Sequence, residues 1–205
     1  MRRVDKGVKQ KTENSFMKIE TMTRGQRNNN PLNIRHSASQ WQGACEEQTD
    51  ASFVRFESMT YGYRAAWRIL ESYWKHFKNE HSPFNVKAII SRWAPPTEND
   101  TQAYIRTVLQ LTGLGGNENF PQPSTGECYE RLELLFRAMT AIECGIPYAE
   151  VDVTAIRQGF DLAFPGKRKV KKQRVESKEP AHVGVSKLPD TKGTTFRDWD
   201  EYWDW

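Results

Sequence analysis

Nine residues, Arg27-Asn28-Asn29-Asn30-Pro31-Leu32-Asn33-Ile34-Arg35, bring together four asparagines, a proline and two arginines. Asn side chains compete with the backbone for hydrogen bonds and Pro removes a donor, so this segment predicts a polar loop and not a helix. Trp41-Gln42-Gly43 follows at short range. Such a loop holds its shape by side-chain to backbone bonds and offers its remaining amides to a ligand. Carbohydrate suits it: amides and guanidinium groups match sugar hydroxyl and N-acetyl groups, while a Trp face covers the apolar side of a ring. Asn29, Asn30, Asn33, Arg35 and Trp41 are therefore candidate sugar-binding residues. A plainer alternative is an Asn-rich turn that caps the next element, with Trp41 a core residue.

Other chemistry is sparse. His36, His76, His81 and His182 show no paired spacing, and Cys45, Cys128 and Cys144 lack metal-ligand spacing. No metal and no cofactor is expected, and the odd cysteines read as reduced thiols. No Ser or Cys has a nucleophile setting. Arg27, Arg35, Arg64 and Arg92 can satisfy loop carbonyls or reach carboxylates on a ligand.

The elements that must position these residues fall in the middle of the chain. At 205 residues there is room for one ordinary domain plus tails. A hydrophobic content of 37% and a mean hydropathy of -0.79 are low for a compact globule, so part of the chain should stay outside the core. Residues 1-24 are polar and basic and read as a flexible arm. Residues 25-164 carry nearly all the apolar material and form the expected domain. Residues 165-195 open with Pro165-Gly166 and the basic run 167-174, and read as a disordered linker. Residues 196-205 end the chain in an acidic-aromatic peptide. No stretch approaches eighteen apolar residues, so membrane insertion is not expected. The N-terminus lacks the apolar run of a secretion signal, which predicts synthesis without one.

Within the domain the period is helical. Tyr61, Ala65, Ile69, Leu70, Tyr73, Trp74 and Phe77 recur at three and four, with Ser58 or Thr60 as the cap and Asn79 near the end. Further helices are expected over 86-93, stopped by Pro95-Pro96; over 101-111, ended by Gly113; over 127-143, closing at Gly145; and over 153-160. Residues 51-56 read as a short extended segment. The fold class is mainly α.

The motifs Arg27 to Arg35, Trp41-Gln42-Gly43, Phe53-Val54-Arg55-Phe56-Glu57-Ser58, Tyr61-Gly62-Tyr63-Arg64-Ala65 and Trp93-Ala94-Pro95-Pro96 through Tyr104-Ile105 stand in this order. In order and spacing, over about residues 24-113, the chain resembles bacteriophage and prophage proteins described as lysozyme-like or virion structural proteins. More distantly it is similar to bacterial glucosaminidases that cut peptidoglycan. The resemblance implies a lysozyme-like α domain with a cleft for glycan strands, floored by the Asn loop and walled by Trp93 and Tyr104. It also implies synthesis in a bacterial host cytoplasm and association with a virion. The family pattern has Gly where this chain has Leu32, which predicts a slightly reshaped loop.

Lysozyme-like enzymes use a Glu near the end of a helix before the Asn-rich segment, kept protonated by its surroundings. Here that region offers Glu13 and Glu20 without the expected apolar helix. Glu98, beside the Trp93 motif, and Glu57, before the long helix, are the competing candidates. Each reads equally as a carboxylate at a helix start. Were Glu57 and Glu98 to face each other, they would form an acid/base pair. The functional expectation is peptidoglycan binding with glycan cleavage by Glu98, Glu20 or Glu57. The alternative is a virion component of the same fold that has lost the acid.

Run 167-174 reads as a solvated linker with weak attraction to phosphate, and no specific nucleic-acid partner is expected. Residues 196-205 hold three of the seven tryptophans, interleaved with Asp198, Asp200, Glu201 and Asp204. Exposed aromatics at that density call for a cover. Trp199, Tyr202, Trp203 and Trp205 are the expected anchors into a partner such as another virion protein.

Overall fold

The computed structural model describes residues 22-168; Glu13 and Glu20 of the arm and Trp199, Tyr202, Trp203 and Trp205 of the terminal peptide lie outside the described residues. Among the described residues six α-helices run in the order α1 (Arg24–Arg27), α2 (Met59–Asn79), α3 (Val86–Trp93), α4 (Thr101–Thr112), α5 (Tyr129–Cys144) and α6 (Val153–Ala163). The protein is mainly α. Two isolated antiparallel bridges, Arg35 with Phe53 and Ala44 with Phe56, are the β pairing among the described residues. The extended segment expected at 51-56 is thus reduced to those two contacts. No helix among the described residues is long and apolar enough to cross a membrane.

Local signals account for the helix ends. Asn85, Asp100 and Asp152 each accept a backbone N–H from the first turn of α3, α4 and α6, which satisfies donors that no carbonyl can reach. Ser58 occupies the N-cap of α2, but its side chain makes no capping bond. Two boundaries differ from the periodicity. Helix α5 starts at Tyr129 and not at 127, because a 3-10 turn over Pro123–Thr125 and the reversal at Gly126 occupy the approach. Helix α6 continues past Phe160 to Ala163, since Ala163 and Phe164 still have core to cover.

The core centres on α2. Trp67 is fully buried, edge-on to Phe136 and Phe160 with ring centroids 4.5 and 4.9 Å away, and its indole N–H donates to Ile156 O at 3.1 Å. Tyr63, also buried, shares a 3.0 Å hydrogen bond with Thr140 of α5. Buried aromatics of this size supply large apolar area, and each polar tip here has a partner. Helices α2 and α6 form the most extensive pair. Their approach is set by Gly159, where a Cβ would stand 2.7 Å from Tyr63 Cβ and 2.9 Å from the Arg64 nitrogen. Glu71, buried on α2, accepts from Gln122 and from the backbone and hydroxyl of Ser124. It staples the 3-10 turn to the long helix.

Candidate functional site

The Asn-rich loop folds back on the start of α2. Asn30 is 0% exposed, and its amide donates to Ile34 O and Val54 O while its carbonyl accepts Ile34 N, all at 2.8 Å. Asn29 donates to Phe56 O and Glu57 O, and Asn28 to Asp50. Asn29 and Asn33 both take φ of +50°, a conformation that Asn tolerates better than most residues. Leu32 needs no such conformation and is buried at 1%, so the family Gly position is filled here by a core residue. The loop lies so close to α2 that a Cβ on Gly62 would stand 2.3 Å from Asn29 O.

One face of this loop forms a wall of a pocket of about 510 Å³, counted with its open mouth. Leu32, Asn33, Ile34 and Arg35 come from the loop, Ser37 and Trp41 from the segment after it, Ile69 and Tyr73 from α2, Trp93 from α3 and Glu143 from α5. The lining mixes apolar and aromatic surface with a few polar groups, the usual make-up of a small-molecule site. Arg35 is steadied by its guanidinium lying 5.2 Å from the centre of the Phe53 ring. Trp93, 7% exposed, stands edge-on to Tyr73. The Trp41 indole N–H is enclosed without a hydrogen-bond partner, and so is Asn33 Oδ1. Each is a polar group that a ligand or a small side-chain rotation could satisfy.

Glu143 is the carboxylate of this pocket. Tyr104 of α4 donates its hydroxyl to Glu143 Oε1 at 3.0 Å, and Asn33 donates its amide to Oε2 at 2.9 Å. Burial pushes the Glu143 carboxyl above its ordinary value; the two hydrogen bonds pull the other way and are outweighed. Its place next to the end of α5, with no basic residue in the last turn, acts in the same direction as burial, because helix C-termini disfavour negative charge. Burial and the Glu143 charge also raise the Tyr104 hydroxyl well above its usual range, so it stays protonated. Since a hydroxyl can donate or accept, Tyr104 can follow Glu143 through either protonation state.

The expected site residues are therefore divided. Asn33, Arg35, Trp41 and Trp93 meet at the pocket, and Tyr104 stands behind them on Glu143. Asn29 and Asn30 do not line it; their amides are spent on the backbone carbonyls of Phe56 and Glu57 and of Ile34 and Val54. Glu98 is half-buried in the turn after Pro95, where its N–H donates to Pro95 O, and Glu57 is exposed. Neither lines the pocket, so they do not face each other across it. Glu143 was the residue that the sequence reading passed over. Its signal was present: an acid in the last turn of a helix, one residue from its end, with no base nearby to balance it.

No family model matches this sequence. Over 152 residues the chain is 35% identical to Protein P5 of Pseudoalteromonas phage PM2, an alignment that covers 72% of this chain and 86% of that protein. The chain belongs to the family of that phage protein. The phage kinship implied by the motif order thus holds at the level of this P5 family. As a P5-family member the chain spans most of that relative's length.

Proposed function

We propose that this P5-family chain is a virion-associated protein that binds peptidoglycan glycan strands in the pocket, with Glu143 as proton donor to a glycosidic oxygen. The observation that carries this reading is the Glu143 carboxyl, raised by burial and held by Tyr104 and Asn33 at a pocket walled by Trp41 and Trp93. A carboxylic acid with a raised pKa holds its proton to higher pH than an ordinary one and can give it to a leaving oxygen. As the proton moves from Glu143 to that oxygen, the C1–O bond breaks and the sugar ring carries the positive charge. Water then adds at C1 and returns a proton to the Glu143 carboxylate. The tryptophans supply flat apolar faces for the ring, and Arg35 supplies a cation for the acidic groups of such a polymer.

A second reading keeps the glycan but not the cleavage. Glu143 is the single carboxylate among the residues lining this pocket, whereas most glycosidases flank the bond with two. On that reading the protein is a structural component of the particle that grips the wall. Full-length protein incubated with purified sacculi, with sedimentation for binding and mass analysis for soluble products, separates the two. Cleavage that disappears in Glu143→Gln and persists in Glu98→Gln supports the first. Sedimentation without products supports the second. A protein that neither binds nor cleaves sacculi removes both.

A further inference from the structure

The solvent-facing flank of α2 carries Arg64 and Arg68 one turn apart, and no carboxylate among the described residues pairs with either. Burial, and after it repulsion from the neighbouring Arg68, lowers the affinity of the Arg64 guanidinium for its proton. The Arg64 Nε is enclosed with no hydrogen-bond partner. Other arginines on this side are already engaged: Arg157 holds both oxygens of Glu133, and Arg168 holds both oxygens of Asp161. A like-charge pair left unbalanced beside satisfied ones is a place for an anionic partner.

The seam where α6 packs on this flank adds an apolar element. Thr60 on α2 donates to Gln158 on α6, and further along both helices the Arg68 guanidinium lies over the Phe164 ring at 5.6 Å. Between these two contacts comes Leu162, one turn on from Gln158 on the same side of α6. At 42% it is the exposed large hydrophobic residue among those described. The seam therefore carries two guanidinium groups without a carboxylate partner among the described residues and, by helical spacing from Gln158, an exposed leucine on the same flank. The described chain stops at Arg168, a few residues past Phe164, so whatever follows starts next to this seam.

We propose that this seam is the docking site for residues 196-205 of this chain. That decapeptide is its chemical complement: Asp198, Asp200, Glu201 and Asp204 for Arg64 and Arg68, and Trp199, Tyr202, Trp203 and Trp205 for Leu162 and the apolar edge of Phe164. Residues 169-195 lie between, and a chain of that length can span up to about 90 Å when extended. Reach therefore places no limit on the contact, within one molecule or between two copies. Tethering raises the local concentration of the peptide, so contacts that are weak one by one suffice to hold it. Carboxylates facing arginines make the contact sensitive to salt, and the aromatic anchors leave a salt-resistant part.

The test compares the full chain with one ending at residue 195, which keeps every described residue. Amide hydrogen exchange in segments 60-68 and 158-164 should be slower in the full chain and should speed up on truncation. A synthetic 196-205 peptide added to the truncated chain should restore the protection, and 0.5 M salt should weaken its binding. Arg64→Glu with Arg68→Glu should weaken peptide binding by about ten-fold or more, the size expected for two reversed partly exposed charges. A peptide with its four acids changed to amides tests the same contact without altering the helices. Exchange rates in both segments that do not respond to truncation would overturn the proposal. So would peptide binding that ignores the arginine reversal, or protection that maps to another surface. Protection that fades on dilution assigns the peptide to a second copy, and protection that does not assigns it to its own; each upholds the seam.

Discussion

Tyr104 and Glu143 meet 3.0 Å apart across the gap between α4 and the end of α5. The contact ties a helix start set by the Pro95-Pro96 turn to a carboxylate that burial has made a weak acid. Removing the hydroxyl with Tyr104→Phe takes away a donor that favours the ionised form, so the Glu143 pKa should climb further. If Glu143 donates a proton to substrate, the alkaline limb of the pH profile for sacculus cleavage moves to higher pH in this variant. An unshifted limb, read alongside a normal melting temperature, would assign Tyr104 a packing role only.

Stability should carry the same signature. A folded-state pKa above the unfolded value of about 4.3 means that the native state binds this proton more tightly. The stabilisation is fully present below the unfolded value and is lost as pH rises through the raised folded value. Glu143→Gln removes that dependence. Relative to wild type, the variant should gain in melting temperature as pH rises from the unfolded value through the raised folded one, and the difference should level off once Glu143 is ionised. Its new amide can accept from Tyr104, and Asn33 can turn its unpartnered Oδ1 towards the Gln nitrogen. Parallel melting curves at every pH would show that Glu143 feels no net burial penalty.

Asn30 is expected to behave as a structural residue. Asn30→Ala would strand the Val54 carbonyl and the Ile34 N–H, and would take one of two donors from the Ile34 carbonyl, which keeps the Val54 N–H. Each buried group left unpaired costs about 1–3 kcal/mol, so urea denaturation should show a loss of several kcal/mol with a changed loop signal. A loss below about 1 kcal/mol would mean that water reaches these groups and that the loop is less closed than described.

Gly62→Ala tests the seat of the loop on α2. Its Cβ would lie 2.3 Å from Asn29 O and 2.7 Å from Pro31 Cδ, so the loop has to lift. A destabilisation of about 1–3 kcal/mol is expected from such overpacking, even though Ala is the better helix former. Weaker glycan binding should accompany it, because Asn33, Arg35 and Trp41 ride on the segment that moves. A neutral or stabilised Gly62→Ala protein would show that the helix and loop have slack between them.

Much of the helical body was legible because its signals are local. The three-and-four spacing from Tyr61, the stops at Pro95-Pro96 and Gly113, and the Asp and Asn caps are all written within a few residues of where they act. The pocket was legible in part. Trp93, Trp41 and Asn33 stood in motifs and do converge, yet Asn29 and Asn30 of the same motif turn inward, and no local rule says which amide of a run faces which way. Glu143 was hidden for a different reason: its importance comes from Asn33, 110 residues away, and Tyr104, 39 away. A carboxylate whose character depends on long-range neighbours looks like any surface Glu in a helical stripe. The same holds for Arg64 and Arg68, which become notable only when α6 packs on their flank with its Asp161 already engaged by Arg168.

The segment from 22 to 57 has one short helix and is otherwise held by backbone bonds such as Val54 N–H to Ile34 O, by its Asn side chains and by its seat on α2. Its Leu32, Ile34, Val54 and Phe56 join the core that α2, α5 and α6 share. Leu32, Asn33, Arg35 and Trp41 therefore reach the pocket on one docked segment, and lifting it off α2 would be a partial excursion from the native state. It would dismantle the pocket and free Glu143 to water while leaving the helical body intact. In this protein the pocket therefore lasts only as long as that segment stays seated on α2.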